Sequence, residues 1–198
     1  KELWNIILNN MLEHGEPGII NWDNLVKNNS YYFSPIAGVN PCGELPLEHL
    51  GVCNLGSIVL PNFIINKNTN WQKLSKTIKL AVRFLDNVID LAFYPIEGQE
   101  VVVKNARRIG LGSTGLADYL FMKEIRYGSP KAIYEIEKLY RFIRDEAYTS
   151  SVELAIEKGA FPKYAKSYYS QSSFIKKLPA KLRMYIKDNS IRNAVLLT

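Results

Sequence analysis

An α/β fold with parallel strands is what this chain predicts, on three observations. Residues 71–93 and 129–159 repeat apolar side chains at helical spacing. Short apolar runs at 57–60, 109–112 and 194–197 read as strands before, between and after those helices, and clusters of Pro, Gly and Asn mark the changes. Strands that alternate with long helices are joined by crossovers, which makes the sheet parallel.

In chain order, Leu3, Ile7 and Met11 repeat at helical spacing up to His14, where Gly15, Pro17 and Gly18 stop the helix. Residues 18–22 are short and apolar enough for a buried strand. Residues 24–34 are polar and Asn-rich, which suits a surface connection, and Ile36-Ala37-Gly38-Val39 leads into a loop around Cys42. Ser57-Ile58-Val59-Leu60 before Pro61 is strand-like, with Cys53 at or near its start. A turn cluster over 66–70 follows, and Asn70 can cap a helix beginning at Trp71. Leu74, Ile78, Ala81, Val82, Leu85, Val88 and Ala92 form the stripe of that helix, which Pro95 ends. After the run ending at Gly112 comes a helix over 113–122. The second long helix takes Ser129 as cap and Pro130 at its first position, and closes at Gly159. Ile133, Ile136, Leu139, Tyr140 and Ile143 are its expected buried side.

The 198 residues, 47% apolar and 22% charged, can support a core. No apolar run approaches the roughly 20 residues that cross a bilayer, so no membrane role is expected. The net charge of +6 comes from Lys and Arg scattered among acids, so no nucleic acid is expected as a partner. The densest basic stretch, 163–183, interleaves Tyr164, Tyr168 and Tyr169 and reads as a solvated linker. Two cysteines are too few for a secreted disulfide scaffold, which points to the cytoplasm. Lys1-Glu2-Leu3-Trp4 opens straight into a helical pattern with no leader, as expected of a piece of a longer chain.

The chemistry concentrates in Asn40-Pro41-Cys42-Gly43-Glu44, with Cys53 downstream. Pro41 and Gly43 disfavour both helix and ladder, so Cys42 belongs on a tight loop, and in a locally extended loop Asn40, Cys42 and Glu44 share one side. A thiol, a carboxylate and an amide so placed can do radical or acid–base chemistry on a small polar substrate. Composition alone reads otherwise: free cysteines are most often inert core, and Glu44 suits a surface turn. A zinc site from Cys42 and Cys53 is not expected, since they lack a Cys-x-x-Cys or paired-His pattern. His14 and His49 read as a helix-end and an exposed loop residue.

The loop resembles the finger-loop motif of ribonucleotide reductases, Asn-x-Cys-x-Glu, and its Pro and Gly, with Cys53-Asn54-Leu55-Gly56-Ser57 after it, look most like the adenosylcobalamin-dependent class II enzymes. The segments 15–23, 107–118 (Arg107-Arg108-Ile109-Gly110-Leu111-Gly112 at its head) and 192–198 fit the same family in its order. The resemblance implies that the whole chain, 1–198, is part of one catalytic domain, a ten-stranded α/β barrel with a central finger loop at about 38–50, incomplete in this chain. It implies Cys42 as the thiyl-radical residue, Glu44 as general base, Asn40 as the group that steadies Glu44 and the ribose, and Cys53 as one half of a redox-active disulfide. It implies a ribonucleoside di- or triphosphate substrate, adenosylcobalamin as cofactor, a thioredoxin-like dithiol reductant, and N- and C-terminal parts of the same enzyme as partners. A phosphate loop is expected just after Leu196-Leu197-Thr198.

Two rival readings come from other classes. Gly110-x-Gly112-x-x-Gly115 before a helix matches the nicotinamide-dinucleotide fingerprint, with Glu135 or Glu137 as the acid expected about 20 residues on. That acid would sit inside a predicted helix, and glycines serving close packing is the competing explanation. A non-catalytic helical interaction module would use the two long helices alone.

Overall fold

A computed structural model describes residues 1–197. Helix α1 (Glu2–His14) ends where Gly15 takes a left-handed φ of 76° and returns its N–H to Met11 O. None of its side chains is buried. Helix α2 (Trp22–Asn28) is capped by the Asn21 side chain, which accepts the Asn24 N–H. The expected buried strand over 18–22 is therefore absent. Ile19, Ile20 and Trp22 are exposed, and the capping side chain at Asn21 starts a helix instead of prolonging an extended run. Nor is 24–34 only a surface connection: Asn29, Ser30 and Tyr31 are buried, with Ser30 Oγ donating to Ala194 O at 2.8 Å. A small hydroxyl and an aromatic ring thus tie this polar-looking segment to the far end of the chain.

Strands β1 (Gly38–Val39) and β2 (Pro46–Leu47) pair as an antiparallel hairpin. Strand β3 (Asn54–Val59) runs into a 3-10 turn, Leu60–Phe63, and a small hairpin of β4 (Ile64–Ile65) and β5 (Asn68–Thr69) follows. Asn70 Oδ1 then accepts the Lys73 N–H and starts α3 (Trp71–Leu91). The stripe runs as expected through Leu74, Ile78, Val82 and Leu85, but finishes at Ile89, with Asp86 fully buried among these apolar positions. Helix α4 (Gln99–Ala106) has no sequence-level signal: its N-cap is Gly98, without a side-chain cap, and it buries only Val103 and Ala106.

Strand β6 (Ile109–Thr114) leads through α5 (Leu116–Met122) to α6 (Pro130–Lys158), which has Ser129 as N-cap and Gly159 as C-cap. The buried face of α6 passes through Ala132, Leu139, Ile143 and Ala147. Ile133 and Tyr140 are exposed instead of buried, because they lie one position round from that face. The basic stretch 163–183 is not a linker. It forms α7 (Lys166–Tyr169), α8 (Ser173–Lys176) and the start of α9 (Ala180–Asn189). Tyr169 is buried with its hydroxyl on Ala194 O at 3.0 Å, and Tyr164 packs on Phe161; of the three tyrosines only Tyr168 is exposed. Buried rings bring these segments inward while their lysines stay in water.

β3 and β6 are parallel, in register from Asn54↔Ile109 to Val59↔Thr114. On the other side of β6, Ile109 and Leu111 donate to Val195 O and Leu196 O, and Leu111 bridges Leu197 in parallel. The strand-like end of the chain thus joins as a third parallel member. α3 and α6 are parallel too, since Ser75, Lys79 and Arg83 pair in order with Glu146, Glu153 and Glu157. Among the described residues, helices cover one face only. Gly56 and Ile58 turn toward α3, whereas Leu55, Ser57 and Val59 are exposed on the opposite face, so the barrel is not closed by this chain.

Candidate functional site

Asn40 organises the tip of the first hairpin. Its carbonyl accepts the Gly43 N–H at 2.9 Å, closing a turn with Pro41 at the second position, while its side-chain oxygen accepts the Leu45 N–H at 2.9 Å. Its amide nitrogen donates to Glu44 Oε1 at 2.6 Å. Gly43 sits at φ +82°, where a side chain would be strained. The chain here is folded back, not extended: Asn40 and Glu44 meet through the turn. Cys42 is free and exposed at the tip.

Glu44 and Cys53 line one cavity of about 290 Å³ together with Ser30, Arg108 and Tyr148; Cys42 is outside its lining. Cys53 immediately precedes β3, half-buried, with its thiol directed to Asn54 O at 3.8 Å. A side chain at Gly110 would place Cβ 3.2 Å from Cys53 Sγ and 2.3 Å from Leu55 Cδ2, so the sulfur occupies a notch that the glycine leaves open. Burial pushes the Cys53 thiol up to about 12, against the pull of Arg108 and with the push of Glu48 and Glu44.

Arg107 and Arg108 are adjacent in sequence and diverge in space. Arg107 donates Nε to Asp86 Oδ1 at 2.8 Å and both terminal nitrogens to Asp90. Asp86 also accepts from Asn193 Nδ2 at 3.0 Å and Arg192 Nε at 3.2 Å, so α3, the start of β6 and the chain end meet on one buried carboxylate. Arg108 turns the other way, donating Nη2 to Glu48 Oε2 at 2.7 Å. Its side chain is only 3% exposed, and its Nε is, among the described residues, a buried nitrogen without a partner.

Neither rival reading fits this geometry. Glu135 lies within α6, accepting from Tyr119 and Lys123, and Glu137 pairs with Arg141, so no acid stands at the end of a second strand. Gly110 is filled by Leu55 and Cys53, and a Cβ on Gly115 would lie 2.7 Å from Pro61 Cδ. These glycines serve close packing, not a pyrophosphate. The long helices, for their part, pack on each other and on the strands. Asp86, Glu48 and Arg108 were missed from sequence. The signal for Asp86 was available: a charge at a position flanked by the buried Val82, Leu85 and Ile89. Thr198, at the expected threshold of a phosphate loop, lies outside the described residues.

The family model described as ribonucleotide reductase, barrel domain, matches residues 1–198. A vitamin B12-dependent ribonucleoside-diphosphate reductase of Thermoplasma acidophilum is 38% identical over 173 residues, covering 86% of this chain and 22% of that protein. One of the same name from Mycobacterium tuberculosis is 37% identical over 177 residues, 86% of this chain and 25% of the relative. A ribonucleoside-diphosphate reductase subunit alpha of Chlamydia pneumoniae is 34% identical over 174 residues, 85% of this chain and 17% of the relative. The chain therefore spans a quarter or less of these curated relatives. Among the described residues, no helix is long and apolar enough to cross a membrane.

Proposed function

The chain belongs to the ribonucleotide reductase barrel-domain family, and from that premise we propose that it carries the radical and redox cysteines of an enzyme reducing ribonucleoside di- or triphosphates to 2′-deoxyribonucleotides. In this reading β3, β6 and residues 195–197 are strands of a ten-stranded barrel, 1–198 lies within one catalytic domain, and the open face bearing Leu55, Ser57 and Val59 looks into its lumen. The finger loop is 38–50. The observation that carries the reading is the 2.6 Å bond from Asn40 to Glu44, which holds a carboxylate two residues from an exposed thiol while that same carboxylate shares a cavity with a second thiol.

Each side chain then has a task. With a radical on Cys42, its sulfur takes the hydrogen from ribose C3′ and later returns it. Glu44 accepts the 3′-hydroxyl proton as general base, for which it needs to come within about 2.6–3.2 Å. Asn40 keeps that carboxylate turned toward the substrate, and the 2′-hydroxyl leaves as water. Cys53 and a partner cysteine outside this chain supply two electrons: two S–H bonds become one S–S bond as the C–OH becomes C–H, with one water released. A thioredoxin-like dithiol in the cytoplasm reopens the disulfide.

The exposed sulfur of Cys42 fits a radical donor brought up from outside the hairpin, and two relatives are named vitamin B12-dependent. Adenosylcobalamin, when bound, supplies the radical; no residue of this chain is assigned to hold it. The N- and C-terminal parts of the enzyme are the further partners. The test is deoxyribonucleotide formation by the full-length protein carrying Cys42→Ser. An alcohol O–H is far harder to convert to a radical than S–H, so product should vanish, and retained turnover overturns the reading.

A further inference from the structure

Arg108 is a buried cation whose Nε–H is left without an acceptor. Its Nη2 is taken by Glu48, its side chain is 3% exposed, and its Nε–H has no acceptor among the described residues. A buried donor left unpaired is costly, so a resting state that keeps one calls for an acceptor that arrives later. Arg108 lines the cavity that also receives Cys53 and Glu44. The parallel register, Asn54↔Ile109, puts Cys53 and Arg108 side by side one residue before the ladder begins. The notch at Gly110 seats the sulfur on the β6 side, two residues from Arg108.

We propose that Arg108 is a positioning residue of the reductive half-reaction, whose free Nε–H and positive charge receive the Cys53 sulfur as a thiolate when the disulfide opens. This rests on the reading of Cys53 as a redox cysteine. When the thiolate of an external dithiol attacks the partner sulfur, a new S–S bond forms there, the old one breaks, and its electron pair leaves on Cys53. A leaving thiolate departs faster the better it is stabilised. In this apolar notch burial opposes the anion, and the charged groups around it are Arg108 in favour and Glu48 and Glu44 against, with Tyr148 also lining the cavity. Glu48 has the second task of fixing the guanidinium and, through it, the returning limb of the finger hairpin.

The experiment is iodoacetamide alkylation of the reduced full-length protein as a function of pH, with Cys42 and Cys53 resolved by peptide mass. Arg108→Gln should raise the Cys53 midpoint, slowing its alkylation at fixed pH by roughly tenfold, the effect of about one pKa unit. Arg108→Lys should recover part of the rate. Glu48→Gln should speed alkylation, because it removes an opposing anion. Loosened packing would speed both variants, so opposite signs identify charge. A wild-type midpoint in Arg108→Gln, or a shift of the same sign in both, overturns the inference. Should Arg108→Gln alone not fold, Arg108→Gln/Glu48→Gln retains a neutral hydrogen-bonded pair and must still alkylate more slowly than Glu48→Gln. Dithiol-supported turnover in Cys53→Ser defeats the reading of Cys53 itself. Loss of turnover there with an unshifted midpoint in Arg108→Gln defeats only the role of Arg108.

Discussion

The hairpin tip around Cys42 and the notch around Cys53 hold the same side chain in opposite settings. At the tip the thiol is exposed and the turn is fixed by four hydrogen bonds of Asn40. In the notch the sulfur is packed against Gly110, beside a buried arginine, with its thiol pushed up to about 12 by burial. An open sulfur suits atom transfer with a group that comes and goes. An enclosed one suits polar two-electron chemistry, where the surroundings decide how well the anion is borne. The hairpin and the strand that carry them are separated by only a few residues, so the difference in setting is made by what each packs against.

The sharpest way to break this contrast is to exchange sulfur for oxygen at each place in the full-length protein. Cys42→Ser should remove all product, whereas Cys53→Ser should stop dithiol-supported turnover and leave radical formation measurable by electron paramagnetic resonance. Next in size is Glu44→Gln, which keeps the shape of the tip and removes the base. Turnover should fall by about 10²–10⁴-fold, as for other general bases, and a loss under tenfold would argue that Glu44 is only a turn residue. Third, Arg107→Ala leaves the buried Asp86 short of its closest partner and should cost about 3 kcal/mol in denaturant unfolding, without altering the Cys53 alkylation midpoint. That would separate the closed arginine from the open one.

A separate readout comes from pH. Because folding raises the Cys53 thiol to about 12, the stability it contributes is fully present below the unfolded thiol value near 9 and fades as pH climbs through 12. Its alkylation should gain about tenfold per pH unit over that window, with Cys42 modified first throughout. The smallest effect is expected of Gly110→Ala. Leu55 is exposed and can swing aside, so the cost should be about 1 kcal/mol, felt chiefly as a changed Cys53 alkylation rate.

Long periodic elements with chemical punctuation were legible in the sequence. Asn70 and Ser129 cap α3 and α6 and Gly159 closes the latter, and the strand expected over 57–60 is present but begins three residues earlier, as Asn54–Val59, with Cys53 just before it and Leu60 already in the 3-10 turn. The Asn40, Cys42 and Glu44 cluster was visible too, though as an extended loop and not a closed turn, because the bonds that close it are side chain to backbone and leave no periodic trace. What failed did so where tertiary contact overrides composition. Ser30, Tyr164 and Tyr169 sit in polar or basic stretches, yet the hydroxyls of Ser30 and Tyr169 reach Ala194 O and that of Tyr164 reaches Ile186 O, segments distant in sequence. Ile19 and Ile20 are apolar yet, among the described residues, have no strand to pair with. Arg108 carries no sequence signal of a role, since neither its pairing with Glu48 nor its spare donor is visible until the hairpin folds back on β6.

The measurement that bears most directly on Cys42 as the abstracting sulfur is turnover of the full-length protein on a ribonucleotide carrying deuterium at C3′. Slower product formation than with hydrogen there, and no product at all from Cys42→Ser, is the result expected. Deoxyribonucleotide formed by Cys42→Ser, or a rate indifferent to the label in single-turnover chemistry, would contradict it.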